Sequence, residues 1–233
     1  MFPKQNIALA VFTGMEKLSI VVPYRKREEH LSLFVPHMEN FLASQLGDNW
    51  EILIINQSDE KPFNRAKLLN VGFKESKSSD YFCFHDVDML PIESDYSICQ
   101  GPTHMATEAE QFGWKLPYEG YFGGVTMFDK ESFIKINGYS NDYWGWGAED
   151  DDVLARCQIM GVPIFRRKGK YQSLNHDRNI QQDLYHQNLS KLNFVMARPS
   201  EDRVMREGLS TLTYEKLGEE KITDKSRFVR VIL

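Results

Sequence analysis

The sequence predicts an α/β fold in which helices flank a mostly parallel central sheet of the Rossmann type. Between residues 18 and 85, short apolar runs rich in β-branched residues alternate with amphipathic segments. This order is typical of parallel strands joined by right-handed helical crossovers. The 233 residues are 42% hydrophobic and 26% charged, which predicts a globular domain and excludes a mainly disordered chain.

Five elements account for the first part of this sheet. Apolar spacing predicts, in chain order, a strand over residues 18–22 that ends at Pro23, a helix over 28–46, a strand over 50–56, a helix over 64–76 and a strand over 81–85. Ligands of such sheets bind beyond the carboxyl ends of the strands. Arg25 and Asp86 come just after predicted strands and Asn56 ends one, so we expect the three to line one crevice.

The C-terminal part of the chain gives weaker signals. After Tyr171 the sequence is polar and its apolar residues are irregularly spaced, which predicts a less regular segment before a final hairpin near residues 209–217. No internal repeat, low-complexity tract or Pro/Ser-rich linker divides the sequence. Residues 1–233 are therefore predicted to form a single domain.

Charge, cysteine and hydropathy patterns limit the class of protein. The chain has 28 basic and 33 acidic residues, a net charge of −5, whereas a general nucleic-acid binder is usually basic. Cys83, Cys99 and Cys157 form no CxxC pair, so neither a disulfide framework nor a structural zinc site is expected. No apolar run reaches the ~20 residues of a transmembrane segment. These features predict a cytoplasmic protein that binds no nucleic acid.

The first candidate site is Asp86-Val87-Asp88, which directly follows the predicted strand over residues 81–85. In the turn after a strand, two carboxylates at i and i+2 can reach one cation. Hard divalent ions such as Mn²⁺ or Mg²⁺ bind oxygen ligands and bridge to phosphates, and a departing diphosphate needs such neutralisation. A lone Asp-x-Asp is more often a capped turn, but its place after a buried strand favours a metal site.

Residues 144–152, Trp-Gly-Trp-Gly-Ala-Glu-Asp-Asp-Asp, form the second candidate site. Four successive acids repel one another, which raises their proton affinity when they are buried. The indoles offer flat surfaces on which a sugar ring can stack, and the carboxylates can bind its hydroxyls. An acidic helix start is the alternative, and Val153, Leu154 and Cys157 do continue as a helix. A helix start does not need the alternating tryptophans and glycines, so we favour a sugar-binding role.

Basic residues follow the first strand and open the second helix. Arg25, Lys26 and Arg27 come just after Pro23, and Arg65 lies at the start of the helix over residues 64–76. Such a cluster alone is usually a solvated loop. Because arginine forks bind phosphate oxygens, its place at a strand end makes these residues candidates for binding a donor phosphate.

Taken in order, these segments resemble the β-1,4-galactosyltransferase family, whose members have a GT-A glycosyltransferase fold. The similarity extends from about Leu18 to Tyr214. The matching motifs are Val21-Val22-Pro23-Tyr24-Arg25-Lys26-Arg27-Glu28, Asn56-Gln57, Phe63-Asn64-Arg65-Ala66-Lys67-Leu68-Leu69-Asn70-Val71-Gly72-Phe73, His85-Asp86-Val87-Asp88, Tyr121-Phe122-Gly123-Gly124-Val125, Asn137-Gly138-Tyr139 and residues 144–152. The resemblance implies one glycosyltransferase domain, with a nucleotide-binding half over residues 18–90 and an acceptor and metal half over 91–217.

The resemblance also implies a role for each candidate residue. The residues expected to bind the donor are Pro23, Arg25, Arg27, Phe63, Arg65, Asp86, Val87, Tyr121 and Trp146, and Tyr121 matches the tyrosine that favours galactose over N-acetylgalactosamine. Asp150 is the expected general base, with Glu149 in support. The expected acceptor contacts are Tyr118, Gly147 and Asp151. Asp88 and His176 are the expected ligands of Mn²⁺, for which Mg²⁺ is a candidate substitute.

The implied activity is inverting transfer of galactose from UDP-galactose to a terminal sugar hydroxyl, with a β-1,4 linkage. The acceptor is expected to end in GlcNAc, glucose or xylose, and a lipid-linked glycan is one candidate. Two alternatives stay open: another donor, UDP-N-acetylgalactosamine or UDP-glucose, and a non-catalytic sugar-binding module. The bulk of Tyr121 opposes the N-acetylated donor, and a sugar-binding module leaves Arg25, Arg65 and Asp86 unexplained.

The chain departs from the family pattern at several points. Ala148 stands where relatives often have Gly or Arg, and Ser173 and Leu174 stand where relatives supply a further metal ligand, so a weaker or different metal set is expected. The sequence shows no anchor and no secretory disulfide pattern. These features favour a bacterial, cytoplasmic enzyme, peripheral at the inner membrane; a Golgi lumenal location is expected only if the chain is a piece of a longer protein.

Overall fold

The computed structural model describes residues 16–76, 78–175 and 180–233, which contain eleven strands and six α-helices. The strands are β1 (Leu18–Tyr24), β2 (Trp50–Gln57), β3 (Tyr81–His85), β4 (Met89–Ser94), β5 (Thr103–His104), β6 (Glu108–Ala109), β7 (Val125–Asp129), β8 (Phe165–Arg166), β9 (Gly169–Ser173), β10 (Glu215–Lys221) and β11 (Ser226–Ile232). The helices are α1 (Glu28–Leu46), α2 (Arg65–Glu75), α3 (Lys130–Lys135), α4 (Glu149–Ile159), α5 (Gln182–Ala197) and α6 (Glu201–Arg206). No helix within these ranges is both long and apolar enough to cross a membrane.

Eight of the strands form one mixed sheet, in the order β10-β11-β2-β1-β3-β7-β5-β8. β1 lies between β2 and β3 and runs parallel to both, and β11 extends the parallel part beyond β2. β7 pairs with β3 in antiparallel orientation, and β4, β9 and β6 form a separate three-stranded sheet. The predicted α/β fold with helices around a large central sheet is confirmed. The carboxyl ends of β1, β2 and β3 meet at one edge of this sheet.

Helices cover both faces of the sheet. On one face, α1 packs its fully buried residues Phe34, Met38 and Leu42 into a cluster with Ile20. On the other face, α2, α3 and α4 share a cluster with Val21, the next residue of β1. Because adjacent residues of a strand point to opposite faces, the continuous apolar run of β1 fills both layers, as expected of a strand buried on both sides.

The predicted bounds in the first half are close to those observed. The helix over residues 28–46 and the strand over 81–85 are confirmed without change. The second helix begins one residue later than predicted, because Asn64 is its N-cap: its side-chain oxygen accepts a hydrogen bond from the Lys67 N–H at 2.8 Å. Pro23 does not end β1. β3 pairs with β1 only as far as Val21, so the last part of β1 bonds to β2 alone, where a proline is tolerated.

The prediction for the C-terminal region was wrong in two respects. The segment expected to be irregular contains α5, a 16-residue helix. Asn188 is its only buried residue among those described, so α5 has almost no apolar stripe to reveal it. The final hairpin is formed by β10 and β11, whereas Leu209–Thr211 is a 3₁₀ turn. β10 lies at the edge of the sheet and is almost entirely exposed, so it lacks the alternation typical of a strand.

Gly72 allows α2 to approach β1 closely, and this contact can be tested. A Cβ at this position would lie 2.1 Å from Val21 Cγ1. Gly72→Ala is therefore expected to lower the free energy of unfolding by ~1–3 kcal/mol through overpacking, although alanine is the better helix former. Urea unfolding at 25 °C measures this. Gly120→Ala is the control, because the nearest atom would lie 4.0 Å away. A Gly72→Ala variant as stable as this control would contradict the close approach.

Candidate active site

The guanidinium of Arg65 joins two carboxylates from distant parts of the chain. Its Nε lies 2.6 Å from Asp86 Oδ1, and its Nη1 lies 2.7 Å from Asp150 Oδ1. Nη1 is also 3.9 Å from Glu149 Oε1. Asp86 directly follows β3, Arg65 begins α2, and Glu149 and Asp150 lie in the first turn of α4. The structure thus brings these four sequence-predicted residues together beyond the carboxyl edge of the sheet, where ligands of such folds bind.

Burial and mutual repulsion dominate the electrostatics of this cluster. Burial raises the pKa of Asp150 well above its usual range, Arg65 opposes this effect, and the charges of Glu149 and Asp86 add to it. Burial likewise raises the pKa of Asp86 to about 6 against the effect of Arg65. A single arginine therefore does not compensate all the acids around it. Asp150 has the raised proton affinity that suits a general base.

The four successive acids divide into different roles. Asp150 binds Arg65, whereas Asp151 Oδ1 accepts a hydrogen bond from the Tyr118 hydroxyl at 2.8 Å. Asp152 is turned away from both: its Oδ2 lies 2.8 Å from Arg156 Nε, and it is 2% exposed. Arg156 also pairs with Glu207 at 2.8 Å, so Asp152 helps to attach α4 to the C-terminal region. The last acid of the run is structural.

A left-handed turn sets the start of α4. Gly147 and Ala148 have φ angles of 101° and 75°; glycine adopts this conformation readily, whereas it costs alanine ~1–2 kcal/mol. Ala148 is the N-cap residue and provides no side-chain cap. The turn places Asp150 and Asp151 in the first turn of α4, where the helix dipole favours negative charge. The strained alanine directly precedes the acids.

The loop before α4 rests on α5, the helix that the sequence did not reveal. The Asn188 side-chain amide donates hydrogen bonds to the carbonyl oxygens of Trp144, at 3.0 Å, and Trp146, at 3.5 Å. The Tyr185 ring packs against Trp146, with centroids 5.3 Å apart, and a Cβ on Gly147 would lie 3.0 Å from that ring. Trp146 is 46% exposed, so one side of its indole is open. Asn188 and Tyr185 are functional candidates that sequence reasoning missed.

Tyr118 and Tyr121 lie close to the acids. Their rings meet edge to face, with centroids 5.6 Å apart. Burial, followed by the charge of Asp150, raises the pKa of Tyr121 well above its usual range. Two residues further on, a Cβ on Gly123 would lie 2.3 Å from Asp150 Oδ2. Only glycine lets the backbone approach the carboxylate this closely, which explains the first glycine of this motif.

The predicted nucleotide contacts lie beside this cluster. A cavity of about 650 Å³ opens at the carboxyl ends of β1 and β2, and Arg25 and Asn56 are among its lining residues. Arg25 Nη1 donates to the Lys61 carbonyl at 2.6 Å, and its guanidinium lies 5.3 Å from the Phe63 ring centroid. Arg65, Asp86 and Asp150 do not line this cavity. The expectation that Arg25, Asn56 and Asp86 share one crevice was therefore wrong for Asp86, which pairs with Arg65 instead.

Other predicted donor contacts lie close to the same strand ends. Pro23 is buried within β1, and Val87 is buried between the two aspartates of its motif. Arg27 is the N-cap of α1, and its backbone N–H donates to the Tyr24 hydroxyl at 3.1 Å. Lys61 and Lys67 were not assigned roles by sequence, yet the ammonium of each lies 5.9 Å from the Trp144 ring centroid.

Asp88 provides the described part of the expected metal site. Its carbonyl accepts a hydrogen bond from the Leu174 N–H at 2.8 Å, so the end of β9 lies next to Asp88. His176 lies outside the described residues. Within the described ranges, no group of three or more His, Cys, Asp or Glu side chains is placed to hold a metal. The Asp88 carboxylate is the hard oxygen donor that Mn²⁺ or Mg²⁺ prefers, whereas Leu174 packs against the apolar core.

Comparison with known proteins defines first the class and then the family. Residues 12–100 match the model for the N-terminal region of glycosyl transferase group 7, and residues 103–178 match that for the N-terminal domain of galactosyltransferase. The fold is that of GT-A glycosyltransferases. A mannosyltransferase from Pyrobaculum calidifontis shares it with a TM-score of 0.56 at 12% identity, over 81% of this chain and 66% of that one.

Closer relatives identify the family. A Drosophila β1,4-galactosyltransferase 7 mutant, solved with manganese, UDP-Gal and xylobiose, is 30% identical with a TM-score of 0.71 over 94% of both chains. Human β-1,4-galactosyltransferase 4 is 39% identical over 89% of this chain and 61% of its own length. Bovine β-1,4-galactosyltransferase 1 is 38% identical over 85% of this chain and 50% of its own length. The chain belongs to the β-1,4-galactosyltransferase family and spans about half to three-fifths of the length of these curated relatives.

Replacing Arg65 tests its effect on the proposed base. Because Arg65 opposes the effect of burial, Arg65→Gln is expected to raise the pKa of Asp150 further. NMR titration of ¹³C-carboxyl-labelled aspartate measures this pKa directly. Arg25→Gln is the matched control, because Arg25 contacts Lys61 and Phe63 instead and its loss should leave the titration unchanged. A pKa of Asp150 that falls, or stays constant, in Arg65→Gln would contradict the arrangement.

Proposed function

We propose that the protein transfers galactose from UDP-galactose to a hydroxyl of a terminal sugar, forming a β-1,4 linkage with inversion at the anomeric carbon. The observation that carries this proposal is the shared arginine: Arg65 bonds to Asp86 on the nucleotide side and to Asp150 on the acceptor side. A non-catalytic sugar-binding module would not need this connection. Membership of the family, whose Drosophila member is solved with UDP-Gal, supports the donor.

The chemical step is a single displacement for which Asp150 is the base. The acceptor oxygen forms a bond to the anomeric carbon as its proton passes to an Asp150 carboxylate oxygen, and the bond from that carbon to the UDP oxygen breaks. Burial raises the proton affinity of Asp150, which favours this transfer, and Arg65 fixes the orientation of the carboxylate at 2.7 Å. A base positioned in this way contributes ~10²–10⁴-fold in rate.

The acceptor is expected to lie between Trp146 and the Tyr118–Asp151 pair. The open face of the Trp146 indole offers a stacking surface, and the hydrogen bond from Tyr118 fixes the Asp151 carboxylate that would bind a sugar hydroxyl. The terminal sugar proposed is GlcNAc, glucose or xylose. The xylobiose bound to the Drosophila relative supports xylose as one of these candidates.

The proposed cofactor is Mn²⁺, with Mg²⁺ as a substitute. Asp88 would bind it, and His176 is the expected second ligand. When bound, the ion would neutralise charge on the diphosphate leaving group. Arg25 and Phe63, which contact each other beside the cavity at the strand ends, are proposed to hold the nucleotide. The manganese in complexes of related folds supports a metal-dependent reaction.

Asp150→Asn separates chemistry from donor binding. The variant is expected to lose transfer by ~10²–10⁴-fold, while UDP binding in the presence of Mn²⁺, measured by calorimetry, stays near that of the wild type. Burial raises the pKa of Asp150, so the folded state binds the proton of this residue more tightly than the unfolded state does. The free energy of unfolding of the wild type should therefore fall, relative to that of the variant, as the pH rises. Loss of UDP binding in a folded variant would contradict the assignment of Asp150 as base.

Tyr121→Leu tests donor selection. Removing the phenol ring is expected to raise the use of UDP-N-acetylgalactosamine relative to UDP-galactose, because Tyr121 is proposed to crowd an N-acetyl group at the donor C2 position. The ratio of kcat/KM for the two donors measures the effect. Phe112→Leu is a control in which a neighbouring ring, 5.5 Å from that of Tyr121, is removed instead. An unchanged donor ratio in Tyr121→Leu would refute the steric explanation.

A further inference from the structure

His104 lies directly behind the Tyr121–Gly123 segment of the site. It belongs to β5, between β7 and β8 in the central sheet, and is completely buried. Its Nε2 lies 3.0 Å from the Gly123 carbonyl oxygen. Its ring meets that of Tyr121 edge to face, with centroids 5.3 Å apart, and lies 5.8 Å from that of Phe122. One side chain therefore contacts all three residues of the segment.

The hydrogen bond determines the tautomer of His104. A carbonyl oxygen only accepts, so Nε2 must carry the hydrogen and Nδ1 is left as an acceptor. Nδ1 is buried and has no hydrogen-bond partner in the described part of the chain, which costs stability that an apolar residue would not lose. Burial lowers the pKa of His104 to about 4, and the charge of Arg166 adds to this. The ring is therefore neutral at physiological pH, and the bond to Gly123 is what a histidine provides here beyond packing.

The segment that His104 holds borders both the donor and the base. Gly123 lies against Asp150, where a Cβ would be 2.3 Å from Oδ2, and Tyr121 is the residue proposed to select the donor. Other bonds also fix the chain nearby. The Val125 N–H donates to the same Gly123 carbonyl at 2.9 Å, the Asp86 N–H donates to the Gly124 carbonyl at 3.0 Å, and Arg166 Nη2 donates to the Tyr121 carbonyl at 3.2 Å. A shift of Gly123 would therefore move the Tyr121 ring and the surface behind Asp150 together.

We propose that His104 is a positioning residue that, through its Nε2–H bond to Gly123, fixes Tyr121 for donor selection. It touches neither the donor nor the reacting atoms. The proposal rests on the proposed function, because donor selection presupposes transfer from a UDP-sugar. His104 lies outside the sequence motifs that resemble the family, and it would affect donor selectivity through the backbone of residues 121–123.

Two variants separate the hydrogen bond from the ring. His104→Phe keeps a planar ring beside Tyr121 but removes the donor. His104→Gln removes the ring but carries an N–H as far from Cα as Nε2. Kinetics with UDP-galactose and UDP-N-acetylgalactosamine give the ratio of kcat/KM for the two donors. His104→Phe is expected to lower the preference for galactose by about threefold to tenfold, the effect of one hydrogen bond, without changing the acceptor KM, and His104→Gln is expected to restore at least half of it.

Hydrogen exchange of the peptide containing residues 121–126 accompanies the kinetics, since it needs no activity. Exchange is expected to be faster in His104→Phe and near wild type in His104→Gln. The proposal would be overturned if His104→Phe kept the donor preference and the exchange rate of the wild type. It would also be overturned if His104→Gln changed both as much as His104→Phe does. If the wild type transfers no galactose while the two variants still show this exchange pattern, only the proposed function is overturned. If His104→Phe does not fold, ¹⁵N NMR of the wild type decides: an Nδ1–H tautomer, or a protonated ring above pH 6, would refute the assignment.

Discussion

The arrangement of the site depends on one cation shared between two half-buried carboxylates. Arg65 lies at the start of α2, yet it links the residue after β3 with the first turn of α4. Without it, Asp86 and Asp150 would repel each other in a region of low dielectric. With it, the cluster still carries more acids than cations, an arrangement that favours reactivity over stability. The same imbalance raises the proton affinity of the residue proposed to accept the acceptor's proton.

Around this cluster, the fold uses backbone contacts more than side-chain packing to shape the pocket. Gly123 lies against Asp150, Gly147 lies against Tyr185, and Asn188 binds the carbonyl oxygens of the tryptophan loop. α5 buries little else among its described residues. A helix with few buried apolar contacts opens at low free-energy cost, so the surface beside Trp146 is supported by an element of low local stability.

The sequence predicts the parallel core of this fold well, because apolar runs such as Leu18–Tyr24 are buried on both faces and leave a strong local signal. It also places Asp86 at the carboxyl edge of the sheet, because Asp86 directly follows a strand. Asp150 begins a helix, so its place opposite the nucleotide side was expected only from the resemblance to the family. Helix α5 and strand β10 could not be predicted, because each is held by tertiary contacts and is mostly exposed. Periodicity gives no sign of Asn188, Tyr185 or His104 either, because each acts through a contact with a residue distant in the chain.

The position of Asp152 affects how any substitution in the acidic run is interpreted. It stands among three acids that face the pocket, but its partners are Arg156 and the Tyr143 hydroxyl, both buried. Breaking such an enclosed ion pair strongly destabilises a protein. An inactive variant at this position would therefore report a loss of folded material, whereas an inactive variant at Asp150, the proposed base, would report a loss of the proposed chemistry. An assay that recorded only turnover would rank the two alike, although one acid holds the helix in place and the other is the proposed base.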